Sequence, residues 1–560
     1  MITLAVLSSA LIFASVLFQS EQAVGGSIGT YSYQQVRDDL LAKREIALLD
    51  VREEAPFAEG HPLFAANLPL SRIELEVYNR IPRRNTTIVV YDNGEGLAEK
   101  ASQRLVGLGY TNVHLLAGGL EGWKKAGGEI FIDVNAPSKA FGEFVESKRH
   151  TPSLSAEEVK SLLDKKANIV VVDVRRFDEY TTMSIPTSTS VPGAELVLRI
   201  RELAPDSTTK IIVNCAGRTR SIIGTQSLIN AGIPNEVVAL RNGTMGWTLA
   251  GQTLDHGQDR KFQEVSPEVR AQAIADSRKV ADRAGVKRIT LTALNEFMKD
   301  EKRTTYRIDV RTPEEFSAGH LPGFCSAPGG QLVQETDHSA PVRGARIILA
   351  DDIGVRANMS ASWLAQMNWE VYVVDDIKPS DLSVKGKATA ELPPIAGIKE
   401  IDYIAPSALS QALTKKDGTV VIDFALNAQY VKSHIPGAWY VLRSQLKESF
   451  KNLPSAKRYV LTSSDGTLAG YALEEFRSLT KSDVLVLKGG TNAWLQERQP
   501  TERGDSAELA HFASPRIDRY RRPYEGVNST AAAMQAYFDW EYGLVEQLAK
   551  DGTHGFFVIE

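Results

Sequence analysis

Cysteine is almost absent from this chain: 560 residues contain only Cys215 and Cys325. Two thiols cannot build a disulfide framework, and neither stands in a C-x-x-C spacing that would suggest zinc or dithiol chemistry. An excess of one charge is lacking too. The formal net charge is −5, which gives no field to gather nucleic acid or anionic lipid. There is no low-complexity tract, and 43% hydrophobic with 24% charged residues is ordinary globular composition. A chain of this length outgrows a single core, so several domains are expected.

Long apolar runs are equally scarce. The one at the N-terminus, Met1 to Phe18, carries no charge, but no basic residues precede it and Ser20-Glu21-Gln22-Ala23 makes a poor cleavage site. It is also short for a membrane span. Residues 1–27 are read as a hydrophobic leader. The expected location is cytoplasmic, with a periplasmic or membrane-anchored protein as the alternative if the run is a true signal.

What the chain does have is a motif set repeated four times. An apolar run ends in aspartate at Leu48-Leu49-Asp50-Val51-Arg52, Val171-Val172-Asp173-Val174-Arg175, Arg307-Ile308-Asp309-Val310-Arg311 and Val421-Ile422-Asp423-Phe424. An aromatic follows at a fixed offset in each: Phe57, Tyr180, Phe316 and Tyr430. Next come Gly60-His61, Ser184-Ile185-Pro186, Gly319-His320-Leu321-Pro322-Gly323 and Ser433-His434-Ile435-Pro436-Gly437-Ala438. A second apolar run is then followed by Asp92, Cys215, Asp351 and Ser463 respectively. A glycine-tryptophan segment closes repeats one, two and four, at Gly118 to Trp123, Asn242 to Trp247 and Gly489 to Trp494. Repeat three ends instead at Val373-Val374-Asp375-Asp376. Within each repeat β-branched runs alternate with amphipathic stretches such as Ser155 to Leu163, the pattern of a parallel sheet with helices on both faces. Pro267 to Arg283 reads as a connecting helix. Ser529 to Lys550 reads as a C-terminal helix able to dock through Ala531, Met534, Phe538 and Leu544.

Cys215 follows the strand Lys210 to Asn214 and precedes a helix opening near Ser221. Such a junction aims backbone N–H groups and the positive helix end at whatever the loop surrounds, which favours a thiolate. Gly217 allows a tight turn, and Arg218 and Arg220 add two guanidinium groups able to hold an oxyanion. The loop thus combines an anion cradle with a soft nucleophile. Asp173 and Arg175 are expected to pair locally and shape the site. Cys325, outside the loop position, reads as a buried or incidental thiol, and His61, His320 and His434 as holding their turns rather than a metal.

These motifs resemble the rhodanese family of thiosulfate and related sulfurtransferases, carried by the Asp-Val-Arg strand end, the Gly-His-Ile-Pro-Gly-Ala turn and the Gly-Gly-x-x-x-Trp segment. The resemblance implies an α/β chain of four tandem rhodanese-like domains, at 28–130, 151–256, 288–385 and 396–505, with a linker helix in 257–287 and a helical tail in 506–560. It implies that Cys215 carries a persulfide within a loop of Cys215, Ala216, Gly217, Arg218, Thr219 and Arg220, with Ser221 completing the substrate-binding set. No cofactor and no metal are implied. The expected donor is thiosulfate, and the acceptor cyanide, a small thiol or a protein thiol. Asp92, Asp351 and Ser463 depart from the family's cysteine, so three repeats are expected to be inert. Two other readings stay open. One is a phosphatase or arsenate reductase, disfavoured because the loop arginine stands five rather than six positions after Cys215; the other is a multidomain sulfur-carrier or binding scaffold.

Overall fold

A computed structural model of the chain describes residues 28–395, 401–504, 511–526 and 528–560. The apolar leader expected over residues 1–27 lies outside the described residues, as do the first residues of the fourth unit and of the tail. Among the described residues no helix is long and apolar enough to cross a membrane.

Each repeat forms its own sheet. In the second, the spatial order is Ser153–Leu154, Val237–Leu240, Lys210–Asn214, Ile169–Asp173 and Thr189–Ser190, all parallel. The strand that leads to Cys215 is therefore central. Repeats one and three share this order, and the fourth adds an edge strand, His511–Phe512, from the segment that follows it. Parallel strands need crossover connections that cover both faces. That is why the strands read as continuous apolar runs, and why all of Ile46–Asp50 is buried.

The aspartate ending the first apolar run is locked by the arginine two residues on. Arg175 donates from Nε (2.9 Å) and Nη2 (2.7 Å) to Asp173, and from Nη2 to the Met183 carbonyl (2.5 Å). Arg52 with Asp50 and Gly60, and Arg311 with Asp309 and Gly319, repeat the arrangement. Both charges of each pair are buried, which is tolerable only because each is paired and further hydrogen-bonded. The histidines stack on the aromatics that stand at the fixed offset, His61 on Phe57 (4.0 Å between centroids), His320 on Phe316 (3.7 Å) and His434 on Tyr430 (3.9 Å). Their Nδ1 atoms pair with backbone carbonyls. Among the described residues no cluster suits a metal ion.

The linker helix runs Pro267–Arg283, capped by Ser266, and packs on Val355–Gln366 and Leu196–Leu203. The tail helix spans Ala531–Asp551. Met534, Phe538 and Leu544 are buried as expected, but Ala531 is exposed, because it sits in the first turn ahead of the first buried position. A helix that the sequence reading had not assigned, Ala136–Arg149, joins repeats one and two, and the tail helix packs against it. One apolar core runs through repeats one to three, the linker helix and the tail. Repeat four keeps its own clusters and is tied on by charge: Arg443 pairs with Glu74 (2.8 and 3.0 Å), and Glu475 with Arg104 (2.7 Å).

Repeat four reads Asp423-Phe424-Ala425, so the locking arginine is missing. Burial pushes the Asp423 carboxyl up to about 7, opposed only by the Ala425 amide. A raised value means the folded state holds the proton more tightly than the unfolded chain. Its stability contribution is therefore complete in acid and is lost as pH rises through about 7. Asp423→Asn should raise the melting temperature of the first transition at pH 8 by several degrees while leaving it nearly unchanged at pH 4. Equal shifts at both pH values would contradict this account.

Candidate active site

The central strand Lys210–Asn214 stops at Cys215, and the next helix opens at Thr219. The first N–H groups of a helix have no intrahelical acceptor, and here one of them points at the sulfur together with a loop amide. The amides of Gly217 and Ser221 face it. The thiol donates to Ser221 Oγ (3.5 Å), whose hydroxyl donates to the Arg218 carbonyl (2.8 Å). Cys215 is 1% exposed. Burial pushes its thiol up, against the opposing pull of Arg220, the Ser221 hydroxyl and the two amides. The expectation that the loop alone favours the thiolate is thus reversed in the closed site, because desolvation outweighs the cradle.

Both loop arginines have carboxylate partners. Arg218 makes a two-pronged pair with Glu143 on Ala136–Arg149 (2.7 and 2.8 Å), and lies 4.4 Å from the Tyr542 ring centroid. Arg220 makes another with Glu179 (2.8 and 2.9 Å), holding that carboxyl down at about 2. Neither guanidinium is free to bind an oxyanion as the structure stands. Thr219 is buried with an unpartnered hydroxyl, and Ala216 is buried under the tail.

The glycine-tryptophan segment supports the loop from beneath. Thr244 and Met245 donate amides to the Cys215 and Ala216 carbonyls (2.9 and 3.1 Å). Gly243, with φ +55°, passes so close that a Cβ would lie 2.3 Å from the Cys215 carbonyl oxygen. The indole of Trp247 is buried and donates to the Thr253 carbonyl (2.9 Å). Gly217 stands in the bend between strand and helix, without a positive φ. A Cβ there would meet Met245 at 3.1 Å and the tail residue Tyr537 at 3.5 Å.

At the equivalent positions the cradle fills itself. Asp92 accepts from the amides of Gly94 (3.1 Å), Leu97 (2.6 Å) and Ala98 (3.1 Å). Asp351 accepts from the Arg356 and Ala357 amides (2.7 and 3.3 Å) and pairs with the Arg356 guanidinium. Arg356 is buried and also binds Glu195 of repeat two (2.9 Å) and Glu315 (2.7 Å), so it serves as an ionic hub between repeats. Ser463 accepts from the Ala469 amide (3.3 Å).

Several groups around Cys215 come from outside its repeat. A chamber of only about 10 Å³ is bounded by the loop, Lys139, Gln334, Tyr524, Tyr537 and Glu541. Tyr537 donates to Glu541 Oε1 (2.8 Å), while Glu541 Oε2 is buried without a partner. Lys139 pairs with Asp133 (2.7 Å) beneath the rings of Tyr524, Tyr537 and Trp540. Sequence reading missed all of these. The helix Ala136–Arg149 was legible from Pro137 in its first turn and from Ala140, Phe141, Phe144 and Val145 at helical spacing. Cys325, expected to be buried or incidental, is not buried: it is exposed on an edge strand.

A family model of the rhodanese-like domain matches residues 33–126, 155–250, 290–376 and 405–497. The crystal structure of a thiosulfate sulfurtransferase from Pseudomonas aeruginosa is 61% identical and aligns with TM-score 0.93, covering 95% of this chain and 100% of that one. Thiosulfate sulfurtransferase GlpE of Coxiella burnetii is 33% identical over 86 residues, 15% of this chain and 78% of that protein. An uncharacterized Synechocystis sp. protein is 30% identical over 107 residues, 19% of this chain, and the match spans 59% of its length. Both helices that close over Cys215, Ala136–Arg149 and Ala531–Asp551, lie outside the four matched segments.

The closure has a measurable pH dependence. Burial first, then Glu143, pushes the Glu541 carboxyl up to about 8; Lys139, the Tyr537 hydroxyl and Arg218 pull the other way. The docked tail holds this proton more tightly than a free one, so docking weakens as pH rises from about 4.5 through about 8. Amide exchange across Ala531–Asp551 should quicken between pH 6 and pH 9 beyond the intrinsic chemical rate. Glu541→Gln, neutral at both, should remove that excess; an unchanged excess in the variant would rule out Glu541 as its source.

Proposed function

The chain belongs to the rhodanese-like domain family, and we propose that it is a thiosulfate sulfurtransferase in which Cys215 alone of the four equivalent positions carries sulfur. The observation that carries this reading is the contrast between cradles. In repeats one and three an aspartate satisfies the amides from within, leaving neither a nucleophile nor room for an anion. Ser463 has no basic residue in its loop, Ser463 to Leu468. Only at Cys215 do converging amides meet a polarisable nucleophile.

The Cys215 thiolate attacks the outer sulfur of thiosulfate. The sulfur–sulfur bond breaks, its electron pair leaves with sulfite, and a Cys215 persulfide remains. Negative charge then rests on the terminal sulfur, where the Gly217 and Ser221 amides stabilise it and Arg220 adds a favourable field. A thiophilic acceptor removes that sulfur and returns the thiolate, which predicts ping-pong kinetics. A chamber of about 10 Å³ does not admit thiosulfate, so the donor enters when the tail contacts or Tyr524 move aside. Asp173 and Arg175 hold the neighbouring strand end through Asn214, which donates to Asp173 (2.8 Å), and so position the loop rather than react.

Thiosulfate exposure should add the mass of one sulfur atom per chain, located on the peptide that contains Cys215. Cys215→Ser should abolish both that adduct and sulfite release, whereas Cys325→Ser should leave both intact. Sulfite release that survives Cys215→Ser would defeat the proposal, and phosphate-ester hydrolysis without sulfite release would favour the phosphatase reading.

A further inference from the structure

A cavity of about 680 Å³ lies between repeats one and three, and no residue lines both it and the Cys215 chamber. Its framework is set by backbone. Ile46 and Arg343 exchange both of their N–H···O bonds (3.1 and 2.9 Å), a short bridge from one repeat to the other. Gly344 follows with φ +80°, and a Cβ there would lie 2.6 Å from the carbonyl oxygens of both Lys43 and Arg44. This close approach sets the basic residues of the two repeats side by side.

Six basic side chains line the cavity, Lys43, Arg44 and Arg83 from repeat one with Lys302, Arg303 and Arg343 from repeat three; two acidic ones, Glu45 and Glu370, accompany them. Glu45 pairs with Arg83 (3.0 Å) and Arg303 (3.1 Å), Glu370 pairs with Arg303 (2.8 Å), and Arg44 turns back to Asp39 (2.5 Å). Among the described residues Lys43, Lys302 and Arg343 have no acidic partner. Arg343 is the least satisfied of the six. Its guanidinium is held between the rings of Phe64 and Trp369, 4.1 Å from each centroid, with one hydrogen bond to the Met367 carbonyl (3.4 Å). Burial pushes this guanidinium down to about 9, the direction expected of a cation that lacks a counter-charge. Trp369, 7% exposed, adds an indole N–H that is buried without an acceptor.

We infer that this cavity is a binding site for a small anion built on a diphosphate group, with Lys43, Lys302 and Arg343 as its counter-charges. A diphosphate concentrates several negative charges on two adjacent groups at neutral pH, and three unmatched cations at the edge of one cavity answer that density. Guanidinium and ammonium groups are the usual partners of phosphate oxygens. The cavity falls within the size range of small-molecule sites, so room remains beside the diphosphate for the body of a nucleotide. The ligand spans the joint between repeats one and three, and by binding only the folded arrangement it stabilises that joint. It undergoes no reaction there, and the site is independent of the sulfur transfer proposed at Cys215.

Titration calorimetry in metal-free buffer at constant ionic strength tests the site, with inorganic pyrophosphate, ADP, citrate and sulfate as probes. Pyrophosphate should bind the wild-type chain. The double variant Lys43→Gln/Lys302→Gln, which changes two exposed side chains, should raise its Kd roughly tenfold as two charged contacts are lost. Cys215→Ser should bind it as wild type does. ADP separates the two sources of the group: binding as tight as that of pyrophosphate or tighter identifies a nucleotide, and weaker binding identifies the free diphosphate. The inference is overturned if wild type fails to bind pyrophosphate at millimolar concentration, or if the lysine variant leaves the Kd unchanged. Binding that disappears with Cys215, or citrate or sulfate held as tightly as pyrophosphate, would overturn it equally.

Discussion

Unsatisfied amide N–H groups at the start of a helix need an acceptor, and the central junction of every repeat is organised around meeting that need. A group that lies buried there without a partner would cost on the order of 1–3 kcal/mol. The aspartates of repeats one and three answer with a carboxylate that takes two or three amides. Ser463 answers with a single hydroxyl. Cys215 answers with a thiol, the weakest acceptor of the three kinds. Two amides, those of Gly217 and Ser221, face that sulfur, so the repeat that ends its cradle in a polarisable nucleophile differs from the others by one side chain placed at the end of one strand.

The rest of the architecture preserves that difference. A thiol in a cradle with two nearby arginines reads, in isolation, as an activated nucleophile. In the folded chain Glu143 and Glu179 take up the two guanidiniums, and tail side chains cover the sulfur. The field that would stabilise a thiolate is therefore partly cancelled while the site is closed. Arg356 shows the same economy in another role: in repeat three an arginine next to the cradle binds Glu195 of repeat two and becomes part of the joint between repeats.

The fold was legible because its signals are local and occur four times. Runs such as Ile169–Asp173, the Gly243-Trp247 spacing and the capping box at Ser155 and Glu158 each specify their element from neighbouring residues alone. Cys215 stood out because alignment of the repeats puts it opposite Asp92, Asp351 and Ser463. The environment of Cys215 was not legible. Glu143 lies 75 residues from Arg218 in sequence and Glu541 more than 300, and no periodicity links them. Gly217 illustrates the limit: the bend it stands in was legible, whereas the closeness of Met245, which leaves a Cβ there only 3.1 Å away, was not.

The tail helix has a consequence for timing. A persulfide's outer sulfur is exchanged by any thiol that reaches it, so an exposed carrier loses its cargo to whichever reductant is most abundant. On the proposed sulfur transfer, with Cys215 at 1% exposure beneath Tyr537 and Glu541, a competing thiol would reach the loaded sulfur only when these side chains move aside. On that proposal the helix would act as a clock on the loaded state, trading speed of turnover for the lifetime of the sulfur beneath it.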